Sequence, residues 1–415
     1  MDIWQYKSKY PNDVLIIIEE FNKKDKYVIF DFLNSDELAD FITLTEIEID
    51  ESKGTMILFR NYNGKTLTEN TVYPFKQLQV EFLKSQFSSN NLMSDSFLIS
   101  YSIDLQGITN LFFGDSLTND KPEMINLDND FMRSSLLKKV PFPSLNKSKL
   151  VVRNVKQGNW NEIWTNNNVE IVFDIGTSTN ADKQEVRNLI NTRTEEYSKS
   201  KPILIISHWD KDHYHSLLGF TDEELSNSFK SILCRKNPPS LTSQNLFSRL
   251  IKTIGNNHVE AIPPFESPSK DEKKKKKKKY LPLLRLINSP ISSILIYNAQ
   301  FHKNRNISGI LISIQTETQT AILSADFHYE QISTYVIPDL VQSKKHSLVV
   351  PHHGGEAGSL VYKYQKTVYL ENAVISIGKN GYKHPLPRVT DFLRKKGFKL
   401  HQTNIKNEDI IIELS

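Results

Sequence analysis

Residues 207–217 read SHWDKDHYHSL, and four of them are spaced as metal ligands: His208, Asp210, Asp212 and His213. With His215 they place five candidate donors within eight residues. Imidazole and carboxylate are groups that hold Zn²⁺ or Mn²⁺. His208, Asp210 and Asp212 alternate along the chain, so in an extended loop their side chains converge on one side. The spacing predicts one ion held by His208 with Asp210 and a second held by Asp212 with His213. Oxygen donors shift the preference of such a site from Zn²⁺ toward Mn²⁺. Two ions roughly 3.5–4 Å apart suit in-line hydrolysis of a phosphodiester.

Such a cluster needs a rigid mount. The run Ile203–Ile206 after Pro202 reads as a short buried strand, which puts the cluster in the loop just past a strand end. Around it the pattern from Leu150 is layered α/β: strands at 150–155, 161–164 and 169–174, a helix over Asp182–Ser198, then the strand at 203. Further strands are expected at 310–314, 322–325 and 348–351. A helix at 388–396 and closing strands at 399–403 and 409–414 complete the sheet. Residues 1–147 contain no histidine. They read as an α+β accessory domain, with strands at 14–19, 27–32, 56–59 and 72–74, a helix over Phe75–Gln86 and a strand pair at 97–105 and 109–113. This domain is a candidate for contact with a protein partner, a signal or a nucleic acid. Residues 138–149 form a plausible linker.

Five stretches in order make the reading specific: NVKQGNWNEI (154–163), VFDIGTS (172–178), SHWDKDH (207–213), ILSADF (322–327) with VVPHHGG (349–355), and SIGKNGYKHP (376–385). Together they resemble the metallo-β-lactamase-fold hydrolases, in particular the metallohydrolase domain of ComEC-type DNA-uptake proteins, over residues 150–415. The resemblance implies an αββα sandwich for residues 148–415 behind the N-terminal α+β domain. It also implies one or two divalent ions, Mn²⁺ or Zn²⁺. Asp326 ends an apolar run, and its two oxygens could bridge two ions. His353 is expected as the ligand that completes the second site, with His352 contacting it or a phosphate. His384 would protonate a leaving alkoxide or hydrogen-bond a phosphoryl oxygen, Lys379 and Lys383 would neutralise phosphate, and Asp212 or Asp326 would accept the proton of the attacking water. The motif Asn306–Gly309 reads as scaffolding of the site.

The chain also departs from that pattern. Asp210 stands where many relatives have histidine. Asn154 and Asn159 flank the Gln-Gly pair where acidic residues are usual. Only His258 and His302 lie between the first cluster and Asp326, so the first metal position lacks an obvious third histidine. The channel segments of the uptake proteins are absent from the pattern, and DNA transport is not implied.

Composition narrows the class. With 415 residues, 24% charged and 38% hydrophobic, the chain has the make-up of a soluble globular protein. Its single cysteine, Cys234, rules out an internal disulfide and a cysteine-based metal site. No apolar run approaches the roughly 18 residues of a membrane span, and the first residues lack a secretory pattern. A cytoplasmic setting is expected. Net charge is +4, but residues 263–280 concentrate seven consecutive lysines, Lys273–Lys279. Such a run cannot pack and could tether a nucleic-acid backbone. A nuclease is therefore the first reading. A hydrolase of a small phosphate ester or cyclic nucleotide, and a binding module on the same fold, are the alternatives.

Overall fold

The computed structural model describes residues 1–49, 54–90, 92–106, 113–117, 140–143, 145, 147–265, 281–286, 294–340, 345–363, 369–378 and 383–414. The lysine run and Lys379 lie outside them. The chain divides into two compact units. The first comprises Met1–Pro122 with Asn180–Glu185 and Asn237–Arg249; the second comprises the remaining residues.

The first unit is a mixed six-stranded sheet with helices, an α+β arrangement. In chain order its strands are β1 (Val14–Asn22), β2 (Tyr27–Phe32), β3 (Met56–Arg60), β4 (Val72–Phe75), β5 (Leu92–Met93) and β6 (Ile99–Asp104), ordered β4-β1-β2-β3-β6-β5 across the sheet. Its core joins Val14, Ile16, Phe30, Phe41, Phe59 and Phe75 with Leu241 from the 237–249 segment. Asp31 is fully buried on β2 and accepts from Thr55 Oγ1 and from the backbone N–H groups of Phe32 and Thr242. These bonds satisfy a carboxylate that burial alone would make costly. The expected helix over Phe75–Gln86 starts later, at Gln77, because Phe75 is the last residue of β4.

The second unit is an α/β fold, an αββα sandwich of two seven-stranded sheets. One seven-stranded sheet runs β12-β11-β10-β9-β8-β7-β20. Its members are β7 (Ser148–Val152), β8 (Asn161–Thr165), β9 (Asn168–Phe173), β10 (Ile203–Ile205), β11 (Ser231–Arg235), β12 (Val259–Ile262) and β20 (Ile410–Glu413). The other runs β13 to β19 in sequence order: β13 (Leu283–Arg285), β14 (Ile294–Ala299), β15 (Ile310–Gln315), β16 (Gln319–Leu323), β17 (Lys345–Val349), β18 (Tyr369–Ile375) and β19 (Lys399–Gln402). One apolar core takes residues from both, among them Leu150, Ile171 and Ile205 from the first and Ile312, Ile322 and Leu348 from the second. β10, parallel to both its neighbours, is buried along its whole length, and β16 is buried from Thr320 to Leu323, as strands covered on both faces must be.

The two closing strands do not share a sheet. β19 pairs with β18, and β20 pairs with β7 in the opposite sheet. The expected helix over Asp182–Ser198 is two helices, Lys183–Asn191 and Thr194–Ser200. At the break, Thr192 Oγ1 donates to Leu189 O and Asn191 Oδ1 accepts from Arg187. Short polar side chains that bond locally compete with helical bonding.

Candidate metal centre

Every candidate ligand follows the C-terminal end of a strand in the second unit. β9 leads to Asp174, β10 to His208–His213, β16 to Asp326, β17 to His352 and His353, and β18 to Ser376 and then His384. Each sheet therefore supplies part of the cluster. His208–Asp210 lie in the loop expected, but Asp212 and His213 occupy a short helical turn, Lys211–Tyr214. Trp209 anchors the loop through Nε1, which donates to Arg235 O at 2.7 Å.

The structure gathers most of the candidates. The ligand atoms of His208, His213 and Asp326 lie within 4.8 Å of one another, as do those of Asp212, His213 and His353. Asp326 stands between histidines. Its Oδ1 is 3.2 Å from His213 Nε2, and its Oδ2 is 3.9 Å from His208 Nε2 and 3.8 Å from His352 Nε2. Asp212 Oδ2 is 3.2 Å from His353 Nε2. Asp210 is in neither group. Its Oδ2 faces His208 Nε2 at 3.5 Å, and its Oδ1 faces Arg305 at 3.4 Å. His352 and His384 lie with ring centroids 5.5 Å apart and planes tilted by 60°. His215 is turned away, with Nδ1 on Ser178 O.

The tautomers follow from the partners. Ser207 Oγ spends its one proton on Asp174 Oδ2, so His208 Nδ1, 2.9 Å from that oxygen, is the donor there. His213 Nδ1 donates to Asp174 Oδ2 at 2.8 Å. His352 Nδ1 donates to Glu356 O and His353 Nδ1 to Ser376 O. All four rings are thus fixed at Nδ1 with Nε2 facing the carboxylates, the arrangement by which a histidine is oriented toward a metal. The Nε2 atoms of His208 and His213 are buried and make no hydrogen bond among the described residues. Buried polar atoms of that kind require an explanation. A divalent ion between mixed nitrogen and oxygen donors supplies it, and the residues present fit one.

Asp174 was not singled out as a site residue from the sequence. It is fully buried, accepts from Ser207 N (2.7 Å), Ser207 Oγ (2.8 Å), Asn159 Nδ2 (2.7 Å) and His213 Nδ1 (2.8 Å), and so ties both first-cluster histidines together. Asn159 is itself held by Asn161 Nδ2. Arg305 is the second residue not foreseen; besides Asp210 it bonds Trp209 O. Backbone strain collects here. Asp174, Ala325, His352 and His353 all have φ between 46° and 60°, a region that costs a non-glycine residue free energy. Gly176 permits the closest approach: a Cβ there would lie 1.6 Å from Asp212 O, so only glycine lets the 174–176 turn lie against the ligand helix.

The electrostatics couple these groups. Burial opposes charge on His213, but the carboxylates of Asp326, Asp174 and Asp212 outweigh it and hold its pKa well above the ordinary value. Burial likewise opposes ionisation of Asp326 and Asp212, and the facing histidines hold both well below the usual carboxylate range. Burial, then the neighbouring His352 and His353, push His384 down to about 4. A metal-free site therefore holds the His213 proton to higher pH than an ordinary imidazole would, and an incoming ion must displace it. Ion binding is expected to release that proton, and the apparent affinity to rise about tenfold per pH unit below the His213 pKa. Calorimetric titration in two buffers of different ionisation enthalpy checks this; proton-neutral binding contradicts it.

No family model matches the sequence, and no curated protein matches it. Among solved structures the chain is similar to human tRNase Z, short form (ELAC1), with a TM-score of 0.33 and 9% identity, covering 65% of this chain and 99% of that one. It is also similar to CmlA, a diiron beta-hydroxylase from Streptomyces venezuelae, with a TM-score of 0.36 and 12% identity, covering 66% of this chain and 55% of that one. Neither likeness bears on substrate or reaction here.

Proposed function

We propose that this chain is a metal-dependent phosphodiester hydrolase acting on nucleic acid. The observation that supports it most is the pair of donor groups meeting at His213, with Asp326 flanked by histidine Nε2 atoms on both of its oxygens. Asp212, His213 and His353, with one oxygen of Asp326, would hold one ion; His208, Asp210 and the other oxygen would hold a second. Arg305 draws on Asp210, so the second position is the weaker one. The oxygen-rich set favours Mn²⁺ over Zn²⁺. Ions held there would supply a nucleophile at neutral pH and offset the charge that builds on the phosphoryl oxygens.

The protein's own groups do the rest. Asp174 and Ser207 hold His208 and His213 in the ligating tautomer. Asp212, kept ionised, orients the attacking water and takes its proton. His384 is neutral at pH 7 and acts as a hydrogen-bond donor to a phosphoryl oxygen rather than as a standing cation. His352, partly exposed beside Asp326, lines the same phosphate position. Lys383, which precedes His384 in the chain, is exposed.

Incubation with Mn²⁺ and single- or double-stranded DNA or RNA tests the reading. The wild type is expected to cleave at least one of them, and Asp212→Ala to lose about a thousandfold in rate. Absence of cleavage by the metal-loaded wild type, or equal cleavage by Asp212→Ala, overturns it.

A further inference from the structure

Arg235, the last residue of β11, is buried, with 6% of its surface exposed. Among the described residues its guanidinium bonds neutral oxygens. Nε donates to Ser308 O at 2.9 Å, Nη2 to Ala299 O at 2.7 Å and Nη1 to Asn298 Oδ1. Asn298 and Ala299 end β14, so the side chain joins the two sheets of the second unit. Burial lowers its pKa to about 9, which leaves it charged at neutral pH. A buried charge facing only neutral acceptors is a costly joint, and an apolar side chain would fill the space without it. What arginine adds is direction. Its planar fork presents donors at fixed angles, and here three of them hold the end of β14 and the turn that follows it.

Both ends of Arg235 meet the stretch from Ser207 to Asp210. At its backbone, Arg235 O accepts from Trp209 Nε1 at 2.7 Å, and Trp209 lies between the two ligands His208 and Asp210. At its side chain, the turn it holds presses on the same stretch from the other sheet. Gly309 follows Ser308, and a Cβ on it would lie 2.7 Å from Ser207 O and 3.2 Å from His208 Cβ. Ile310 N donates to Ser207 O at 2.8 Å. Arg305, in the same turn, reaches Trp209 O at 3.2 Å and Asp210 Oδ1 at 3.4 Å. The other donor group has separate supports. His353 Nδ1 donates to Ser376 O, Ser376 Oγ donates to Gly158 O, and His213 Nδ1 donates to Asp174. None of these bonds passes through Arg235.

We propose that Arg235 is a positioning residue for one metal position alone, the one held by His208 and Asp210, which it sets by fixing the 298–308 turn against the ligand loop. This rests on the two-ion reading above. Metal-free wild type and Arg235→Lys are titrated with Mn²⁺, followed by calorimetry and by the electron paramagnetic resonance of the bound ions. Lysine keeps the charge but replaces the fork with a point charge. The wild type is expected to take up two ions whose signals are coupled through the shared Asp326. Arg235→Lys should keep one ion at wild-type affinity and bind the other about ten- to a hundredfold more weakly, leaving the spectrum of an isolated ion. Asn298→Ala, which removes one of the three acceptors, should show the same selectivity with a smaller loss, and it decides the matter if Arg235→Lys does not fold. Equal weakening of both ions is a general loosening and overturns the proposal, as does no change in either. If the wild type takes up fewer than two ions, the two-ion reading fails on its own. The positioning role is then read in the metal-free protein from the exchange of ring N–H protons by NMR. In the variant the Trp209 Nε1–H should exchange at least about tenfold faster, the worth of one hydrogen bond, with the His353 Nδ1–H unchanged. Unchanged Trp209 exchange, or equal acceleration of both, overturns it.

Discussion

Asp326→Asn removes the central charge of the site with almost no change in shape, and we expect it to cost at least about a hundredfold in metal affinity and a thousandfold in turnover. Its two oxygens face His213 on one side and His208 and His352 on the other, so both ion positions lose a negative donor. The variant carries a second signature that needs no activity. Asp326 is the foremost carboxylate raising the His213 pKa. With an amide there, burial gains ground and the metal-free imidazolium should lose its proton at lower pH. Metal analysis, turnover and an NMR titration of the histidine rings read the three effects. An Asp326→Asn protein that still holds two ions per chain would remove Asp326 from the ligand set.

Asp174→Ala is expected to be the most damaging change away from the ions. Four donors converge on this buried carboxylate, and none could reach water in its absence. Removing one partner of a buried ion pair costs about 3–5 kcal/mol. For a unit of this size that corresponds to a fall in Tm of roughly 10 °C. His213 would also lose the group that fixes its ring. Asp174→Asn keeps an acceptor and should recover much of the stability. It removes the charge behind His213, however, and metal affinity should stay about ten- to a hundredfold down. Thermal unfolding and metal titration separate the two roles. Asp174→Ala with wild-type stability and affinity would reduce Asp174 to a bystander.

The parts of the site that the sequence displays are those in which local spacing carries the information. His208, Asp212 and His213 sit within one loop and turn, and Asp326 and His353 follow apolar runs that read as strands on their own. Asp174 belongs to the same class, since it follows Phe173 at the end of β9 and precedes Gly176. It was legible in type but not in role, because its partners Ser207 and Asn159 are far from it in the chain. Arg305 is less legible still. Nothing local marks an arginine in a polar turn as the partner of Asp210, 95 residues away.

The same distinction runs through the fold. The strand pattern in 148–415 is readable because the central strands are short apolar runs. Assignment to two sheets is not, because periodicity carries no record of a strand's neighbour; β19 and β20 follow one another closely in the chain and lie in opposite sheets. The helix Ser35–Thr45 did carry a local signal. Asn34 caps it by accepting from Asp36 N and Glu37 N, and two acids occupy its first turn, a start pattern of known kind.

Because each sheet of the second unit supplies only part of the proposed ligand set, an ion held there would double as an inspection of finished folding. A chain that has formed only the first sheet offers His208, Asp212 and His213 but lacks Asp326 and His353, and one that has formed only the second has the converse. Neither fragment would complete either donor group, so an ion held there would discriminate between the completed sandwich and anything short of it. A ligand that binds only the complete state adds stability by mass action, about 2.7 kcal/mol at a hundred times its dissociation constant. The ion would then act as a clasp between the two sheets, and its loss would be felt first as loosening along the edge where they meet.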